Sequence, residues 1–182
     1  MIRPSAPAAM AASDNGLGMA IPTEEAWEAA DFLYCRLEDA DGVEGWGEAY
    51  VWLPETGVSQ REMALAIRDH LGKYVLGARP TDVQALAARM DRNVARNEVA
   101  KGVVDLACHD LAARQVGRPV HDLIGGAVVD RIPLCGLLPL LDPETTAELA
   151  AGYQRGGYRS VRIKLGTSPT ADRDVIAAEP RR

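Results

Sequence analysis

The chain has 182 residues, of which 47% are hydrophobic, and its formal net charge is -6 at pH 7. This length and composition exclude a disordered chain and fit one soluble domain, or one small domain with part of another. The negative net charge and the scattered basic residues give no attraction to phosphate backbones, so we expect no nucleic-acid partner. No stretch approaches the roughly 20 apolar residues that span a bilayer, so we expect no membrane partner and a cytoplasmic protein.

The first 22 residues are rich in Ala, Pro and Gly and show no periodicity. We therefore predict a loose N-terminal arm over residues 1–22. Pro4, Pro7 and Asp14 interrupt any apolar run that could serve as a signal sequence.

A β-hairpin is predicted next. The segment DFLYCRLE, residues 31–38, alternates apolar and other side chains, DADG forms a turn, and the strand EGWGEAYV follows. In the second strand one face is small and the other is charged and aromatic, because successive side chains point to opposite faces. The small face holds Val43, Gly45, Gly47 and Ala49, and the other holds Glu44, Trp46, Glu48 and Tyr50.

Helical spacing begins at Ser59, and a second helix follows Pro80 and Thr81. The strongest helix covers residues 97–117 and ends at Gly117. Its predicted buried stripe is Val99, Val103, Leu106, Ala107 and Leu111. The first 125 residues thus indicate an α+β arrangement, a hairpin followed by helices.

After residue 130 the pattern becomes strand, helix, strand. Apolar strands are predicted over residues 131–138 and 158–166. The helix between them starts at the Asp142 cap with Pro143 in its first turn, and it ends at Gly156. Two strands joined by such a helix form a parallel, right-handed βαβ unit.

The cysteines and histidines do not indicate a reactive site. Three cysteines far apart in sequence fit reduced, buried thiols better than disulfides. The side chains of Cys108 and His109 diverge on a helix, so packing explains them better than catalysis, whereas Asp105 and His109 are spaced for a hydrogen bond. The cysteines are Cys35, Cys108 and Cys135, and the other histidines, His70 and His121, show no zinc-ligand spacing.

Three segments together resemble the mandelate racemase and muconate lactonizing group of the enolase superfamily: DGVEGWGEA, VVDLACHDLAARQVGRPVHDLIGG and GYRSVRIKLG. The resemblance covers residues 31–176. It implies an α+β capping domain, a hairpin sheet plus helices, over residues 23–129. It also implies that residues 130–182 are the first βαβ unit of an incomplete (β/α) barrel.

The resemblance places the chemistry in VRIKLG, where Lys164 matches the second lysine of the family's Lys-x-Lys motif, a catalytic base. On a barrel strand Arg162 and Lys164 would point inward, while Val161, Ile163 and Leu165 would face the helices. A lysine that acts as a base near neutrality needs a pKa below the usual value of about 10.4, and a nearby cation and burial both lower it. Arg162 replaces the family's first lysine and could tune Lys164 or hold a substrate carboxylate. The alternative is a solvated strand end.

The resemblance also implies that residues 50–57 form a lid loop, with Tyr50 and Trp52 contacting substrate. In the alternative interpretation, Gly45 and Gly47 only let a helix pack closely, and Trp46 is a core residue.

The implied reaction is proton abstraction next to the carboxylate of a small substrate, with Mg²⁺ stabilising the enediolate. Racemisation, epimerisation, cycloisomerisation and dehydration stay open, as does a homo-oligomer. A complete barrel takes about 250 residues, whereas only 52 follow residue 130. We therefore expect no Mg²⁺ on this chain and no activity from it alone. The alternative function is a non-catalytic capping-domain module that binds a partner protein.

Overall fold

A computed structural model describes residues 31–178, apart from the side chains of Pro54 and Glu55. The arm predicted over residues 1–22 lies outside the described residues. The described part falls into two compact units, of which the first ends at Ala127 and the second begins at Val128. No helix in residues 31–178 has the length and apolar character needed to cross a membrane.

The first unit begins with the predicted hairpin. Strand β1, Asp31–Glu38, pairs antiparallel with β2, Glu44–Val51. The buried carboxylate of Asp39 closes the turn by accepting hydrogen bonds from the backbone N–H groups of Asp41 and Val43, each at 2.9 Å. Gly42 takes the left-handed backbone conformation, φ 82°, that favours glycine in such a turn.

Helices follow in the order α1 Leu53–Thr56, α2 Gln60–Leu65, a π-helical segment Ala66–Leu71, α3 Gly72–Val75, α4 Val83–Asn93, α5 Glu98–Gln115 and α6 Val120–Leu123. Ser59 caps α2 in a capping box with Glu62. The π-helical segment was not predicted. Its wider turn lets Ala66 and Leu71, five residues apart, both reach the core.

Helix α5 forms the centre of the first unit's core and packs on the hairpin. Its buried stripe includes Val103, Ala107 and Leu111, as predicted. Leu106 is 51% exposed, so its predicted place in the stripe is wrong. The buried residues form two adjacent rows of four-residue steps, Val103–Ala107–Leu111 and Val104–Cys108–Ala112, and Leu106 lies outside both rows.

The two faces of the hairpin differ as the alternation predicts. Leu33, Cys35 and Leu37 of β1 are buried in the core cluster that includes α5. Gly45 and Gly47 of β2 lie against α5, which confirms that these glycines permit close helix packing. The core interpretation of Trp46 is wrong, because its indole lies on the opposite face and is 39% exposed.

The second unit contains the predicted βαβ arrangement. Strand β3, Cys135–Leu137, pairs parallel with β4, Ser160–Arg162, and helix α7, Pro143–Arg155, joins them. Asp142 caps α7 by accepting from the backbone N–H of Thr145 at 2.9 Å. Helix α8, Pro169–Ala178, follows.

Both strands of this unit are shorter than predicted. Ile132 and Leu134 lie before β3 and are exposed, Ile132 to 80%. Cys135 is also exposed, so its predicted burial is wrong, whereas Cys35 and Cys108 are buried as predicted. A strand extends only as far as a neighbour supplies hydrogen bonds, and β3 and β4 pair over three residues.

Candidate active site at the end of strand β4

Arg162 and Lys164 lie at the carboxyl end of β4. Arg162 is the last residue of the strand and is exposed, whereas Lys164 lies two residues further on and is half-buried. The backbone carbonyl of Arg162 accepts a hydrogen bond from the N–H of Leu138, just after β3, at 2.9 Å. Both cationic side chains thus belong to the end of the parallel pair at which barrel active sites are built.

The predicted alternation of this segment is only partly present. Val161 and Ile163 are half-buried, which fits side chains directed toward the helices. Leu165 is 46% exposed and lies beyond the end of β4. The strand ends at Arg162, and the two-residue alternation is not maintained beyond it.

The loop after Lys164 is fixed by Asp172, a residue that the sequence analysis missed. The carboxylate of Asp172 accepts from the backbone N–H of Gly166 at 3.0 Å and from that of Thr167 at 3.2 Å. Gly166 has φ 125°, a conformation that favours glycine. The Gly-Thr-Ser-Pro helix start with an acidic residue in its first turn could have indicated this contact.

An open cavity of about 490 Å³ lies at the other end of the same strands. Residues 131–134, before β3, and residues 156–159, before β4, line it. In α/β barrels the substrate site lies at the carboxyl ends of the strands. We therefore do not assign this cavity to the site of Lys164.

Tyr50 and Trp52 lie in the first unit, at the end of the hairpin. The ring of Tyr50 is 5.5 Å from that of Phe32 and is 37% exposed. Trp52 is half-buried and immediately precedes α1. The predicted lid loop over residues 50–57 is therefore wrong as a description of structure, because Tyr50 and Val51 complete β2 and residues 53–56 form α1.

Hydrogen bonds fix the connection between β2 and α1. The carbonyl of Trp52 accepts from the backbone N–H of Thr56 at 2.8 Å and from its hydroxyl at 2.9 Å.

The candidate residues are divided between the two units. Arg162 and Lys164 belong to the second unit, whereas Tyr50 and Trp52 belong to the first.

The remaining candidate groups have structural roles. His109 Nδ1 lies 3.0 Å from the carbonyl oxygen of Asp105 and 3.3 Å from its carboxylate, in line with the predicted spacing. Burial raises the pKa of the Cys108 thiol to about 12 and that of the Cys35 thiol to about 11. These thiols remain protonated near neutral pH and are poor nucleophiles, which agrees with a packing role for Cys108.

Comparison with known proteins gives a family for this arrangement. The family described as "Mandelate racemase / muconate lactonizing enzyme, N-terminal domain" matches residues 11–125. N-succinyl-L-Arg/Lys racemase of Bacillus cereus is 30% identical over 146 residues, which are 80% of this chain and 40% of that protein. Cis-3-hydroxy-L-proline dehydratase of Roseibium aggregatum is 27% identical over 154 residues, 83% of this chain and 41% of that protein.

Solved structures give the same result. One similar structure is the dipeptide epimerase of Enterococcus faecalis V583 in complex with Mg and the dipeptide L-Leu-L-Tyr. Its TM-score is 0.78 at 26% identity, and the match covers 84% of this chain and 43% of the epimerase chain. The 2-chloromuconate cycloisomerase of Rhodococcus opacus 1CP has a TM-score of 0.85 at 25% identity, over 96% of this chain and 49% of its own. This chain spans about two fifths of the length of the curated relatives that it matches. The chain belongs to the mandelate racemase / muconate lactonizing enzyme family.

Proposed function

We propose that this chain is part of an enzyme that removes the proton next to the carboxylate of a small substrate, and that Lys164 is the general base. The observation that carries this proposal is the position of Lys164, half-buried just beyond the carboxyl end of a parallel strand that also bears Arg162. Relatives named as a racemase, an epimerase and a dehydratase support this reaction class. Inversion at a carbon requires that one of its bonds be broken, and next to a carboxylate the C–H bond is the one that a base can break.

We assign residues 23–129 to a capping domain and residues 130–182 to the beginning of a (β/α) barrel. Leu137 of β3 is 38% exposed, which supports the barrel assignment. Strands of a parallel sheet are normally covered on both faces, so an exposed apolar side chain on β3 fits a larger structure that covers it.

The chain's own residues would act as follows. The neutral amine of Lys164 takes the α-proton, and the electron pair moves into the substrate carboxylate to give an enediolate. Arg162 holds the carboxylate through its planar guanidinium, for which its exposed position beside Lys164 is suited. A proton given by an acid on the opposite face, which Lys164 does not supply, inverts the centre, and loss of a β-hydroxyl as water gives dehydration. Tyr50 and Trp52 are proposed to contact the substrate.

Magnesium does not fit the residues that the structure describes. The Enterococcus faecalis epimerase is a Mg complex. In residues 31–178, however, no group of three or more His, Cys, Asp or Glu side chains is placed to hold a metal ion. Any Mg²⁺ in this enzyme would need ligands outside these residues, and we assign no step to it here.

A chimera tests the proposal. Residues 1–182 replace the matching stretch of the Bacillus cereus racemase, and polarimetry follows racemisation of N-succinyl-L-arginine. Lys164→Ala should lower the rate by about 10²-fold or more, the usual contribution of a general base. Arg162→Lys keeps the cation but loses the planar guanidinium, so it should weaken substrate binding and raise KM, with kcat nearly unchanged. Lys73→Ala, on α3 in the first unit, is the matched control and should leave the rate unchanged. Activity that survives Lys164→Ala would refute the proposal.

A second candidate is a non-catalytic module that binds a partner protein. One observation favours it: the outer face of the hairpin exposes Tyr34, Trp46 and Tyr50, and aromatic side chains are enriched at protein interfaces. A correctly folded but inactive wild-type chimera would favour this function over the first.

A further inference from the structure

We propose that Tyr153, on helix α7, is the positioning residue that fixes the end of β4, and with it Lys164, against β3. The inference rests on the proposed function for the role of Lys164 as a base. In this proposal Tyr153 acts on Lys164 indirectly, through the backbone of β3 and the segment before β4.

The ring of Tyr153 lies directly on the backbone of Gly136, the central residue of β3. A Cβ atom at Gly136 would lie 2.6–2.8 Å from the Cγ, Cδ1 and Cδ2 atoms of the ring, closer than real Cβ contacts. Only glycine permits this approach without a shift of the ring or the strand. Gly136 pairs in register with Val161 of β4, so the ring packs at the middle of the parallel pair.

Two hydrogen bonds connect the end of β3 with the hydroxyl of Tyr153 and with the backbone of Arg162. The hydroxyl donates to the carbonyl oxygen of Leu137, the last residue of β3, at 3.3 Å. The next N–H of the chain, that of Leu138, donates to the carbonyl of Arg162 at 2.9 Å. The first bond is long for an O–H···O contact, which is usually 2.5–3.0 Å. We therefore expect the ring to contribute more than the hydroxyl.

Tyr153 also holds the segment that leads into β4. Its ring and that of Tyr158 meet edge to face, with centroids 4.9 Å apart and an interplanar angle of 70°. The backbone N–H of Tyr158 donates to the carbonyl of Tyr153 at 3.1 Å. Gly157, with φ 86°, allows the tight turn between helix and strand. One residue thus contacts β3 at its centre and the segment that leads into β4.

This arrangement matters for a base because proton transfer needs short, fixed distances. A displacement of about 1 Å at a reacting group can lower the rate by about 10²-fold. Lys164 follows β4 by two residues, so a change in the offset of β4 against β3 moves it. Loss of the Tyr153 ring would remove the contacts that set this offset.

The first test uses this chain, which contains only three lysines, Lys73, Lys101 and Lys164. Mass spectrometry measures acetylation of each lysine by acetic anhydride across a pH series. Tyr153→Leu should raise the acetylation rate of Lys164 by about threefold or more, because local opening of the strand pair would expose its half-buried amine. Tyr153→Phe should leave that rate nearly unchanged.

Lys73 and Lys101, in the first unit, are internal references and should not respond in either variant. Leu149→Ala is the matched control, since Leu149 lies on the same helix with its side chain exposed. An unchanged acetylation profile at Lys164 in Tyr153→Leu would overturn the proposal.

The second test uses the chimera and separates positioning from a loss of folded protein. Tyr153→Leu should lower kcat by about 10- to 100-fold and displace the pH profile of kcat, with KM nearly unchanged. Tyr153→Phe should restore kcat to within about threefold of wild type, because it keeps the ring on Gly136. A profile that is only scaled down, without displacement, would overturn the proposal, because loss of folded protein gives that result. An inactive wild-type chimera would count against the proposed function, and the acetylation profile alone would then decide the role of Tyr153.

Discussion

Gly45→Ala should strongly destabilise the first unit. A Cβ atom at Gly45 would lie 2.5 Å from the carbonyl oxygen of Ala107 and 2.5 Å from the backbone nitrogen of Leu111, both in α5. Ordinary van der Waals contact begins at 3.4 Å, so β2 and α5 would have to separate by about 0.9 Å. Rotamer changes cannot relieve this overlap, because the atoms that meet are backbone atoms and the Cβ of Leu111, whose position does not depend on the rotamer.

The magnitude follows from the packing. Overpacking of a core costs about 1–3 kcal/mol when side chains can adjust, so we expect a loss of about 3 kcal/mol in the free energy of unfolding for Gly45→Ala. Gly102→Ala is the matched control, since Gly102 lies within α5 and a Cβ there meets no atom within 4 Å. Alanine is favoured over glycine in a helix interior, so this control should gain about 0.5–1 kcal/mol.

Urea unfolding followed by far-ultraviolet circular dichroism measures both variants. The first-unit transition is identified by the simultaneous exposure of the buried thiols Cys35 and Cys108. With an m-value of about 1–3 kcal/mol/M, the midpoint of Gly45→Ala should fall by about 1–3 M, and that of Gly102→Ala should rise. A midpoint for Gly45→Ala equal to or above that of the wild type would refute the packing described for β2 and α5.

Three further predictions concern stability and reactivity. Hydrogen bonds from Gln115 and from the backbone of Val43 hold the pKa of the Asp39 carboxyl below its usual value. This carboxylate therefore stabilises the fold above a pH of about 4. The stabilisation is lost as the pH falls through the lowered pKa. Asp39→Asn should therefore flatten the decline of stability in acid, measured by urea midpoints from pH 2 to 6. At pH 8 a thiol reagent should modify Cys135 in the native chain and should reach the two buried thiols only on unfolding. Asp110→Ala should accelerate amide hydrogen exchange at Trp46, because the Asp110 carboxylate accepts from that N–H at 2.9 Å, and equal protection in both proteins would contradict this.

Local signals in the sequence predicted much of the fold. Asp142 and Pro143 start α7, and Gly156 follows its end, because capping depends on residues within one turn. The alternation in residues 31–38 likewise predicted which face of β1 is buried. These features need no knowledge of distant residues.

Features that depend on distant residues were missed or misplaced. The turn at DADG was predicted, but the hydrogen bond from Gln115 to Asp39 joins residues 76 apart. The alternation of side chains in β2 distinguishes two faces of the strand but does not show which face a helix covers. For this reason the sequence also allowed Trp46 to be a core residue. The ends of β3 and β4 were overextended because strand length depends on pairing partners, as at Leu134, which lies outside the ladder.

The candidate site was predictable to a similar extent. The motif in residues 161–166 predicted Arg162 and Lys164 on one strand, with Lys164 nearer its carboxyl end, whereas β4 ends at Arg162 and Lys164 follows it by two residues. The contact of Tyr153 with Gly136 gave no sequence signal, because a tyrosine and a glycine 17 residues apart form no recognised motif. Only the folded backbone brings that ring onto the strand.

The most direct measurement of the central claim is exchange of the substrate α-proton with solvent deuterium, followed by proton NMR in the chimera with the Bacillus cereus racemase. Exchange requires that a base remove the proton, exchange it with solvent and return a deuteron, so it needs neither inversion nor loss of a substituent. We expect exchange into the racemase's N-succinyl amino acid by the wild-type chimera and by Lys73→Ala, and a loss of about 10²-fold or more in Lys164→Ala. Exchange at the wild-type rate in Lys164→Ala would contradict the assignment of Lys164 as the base.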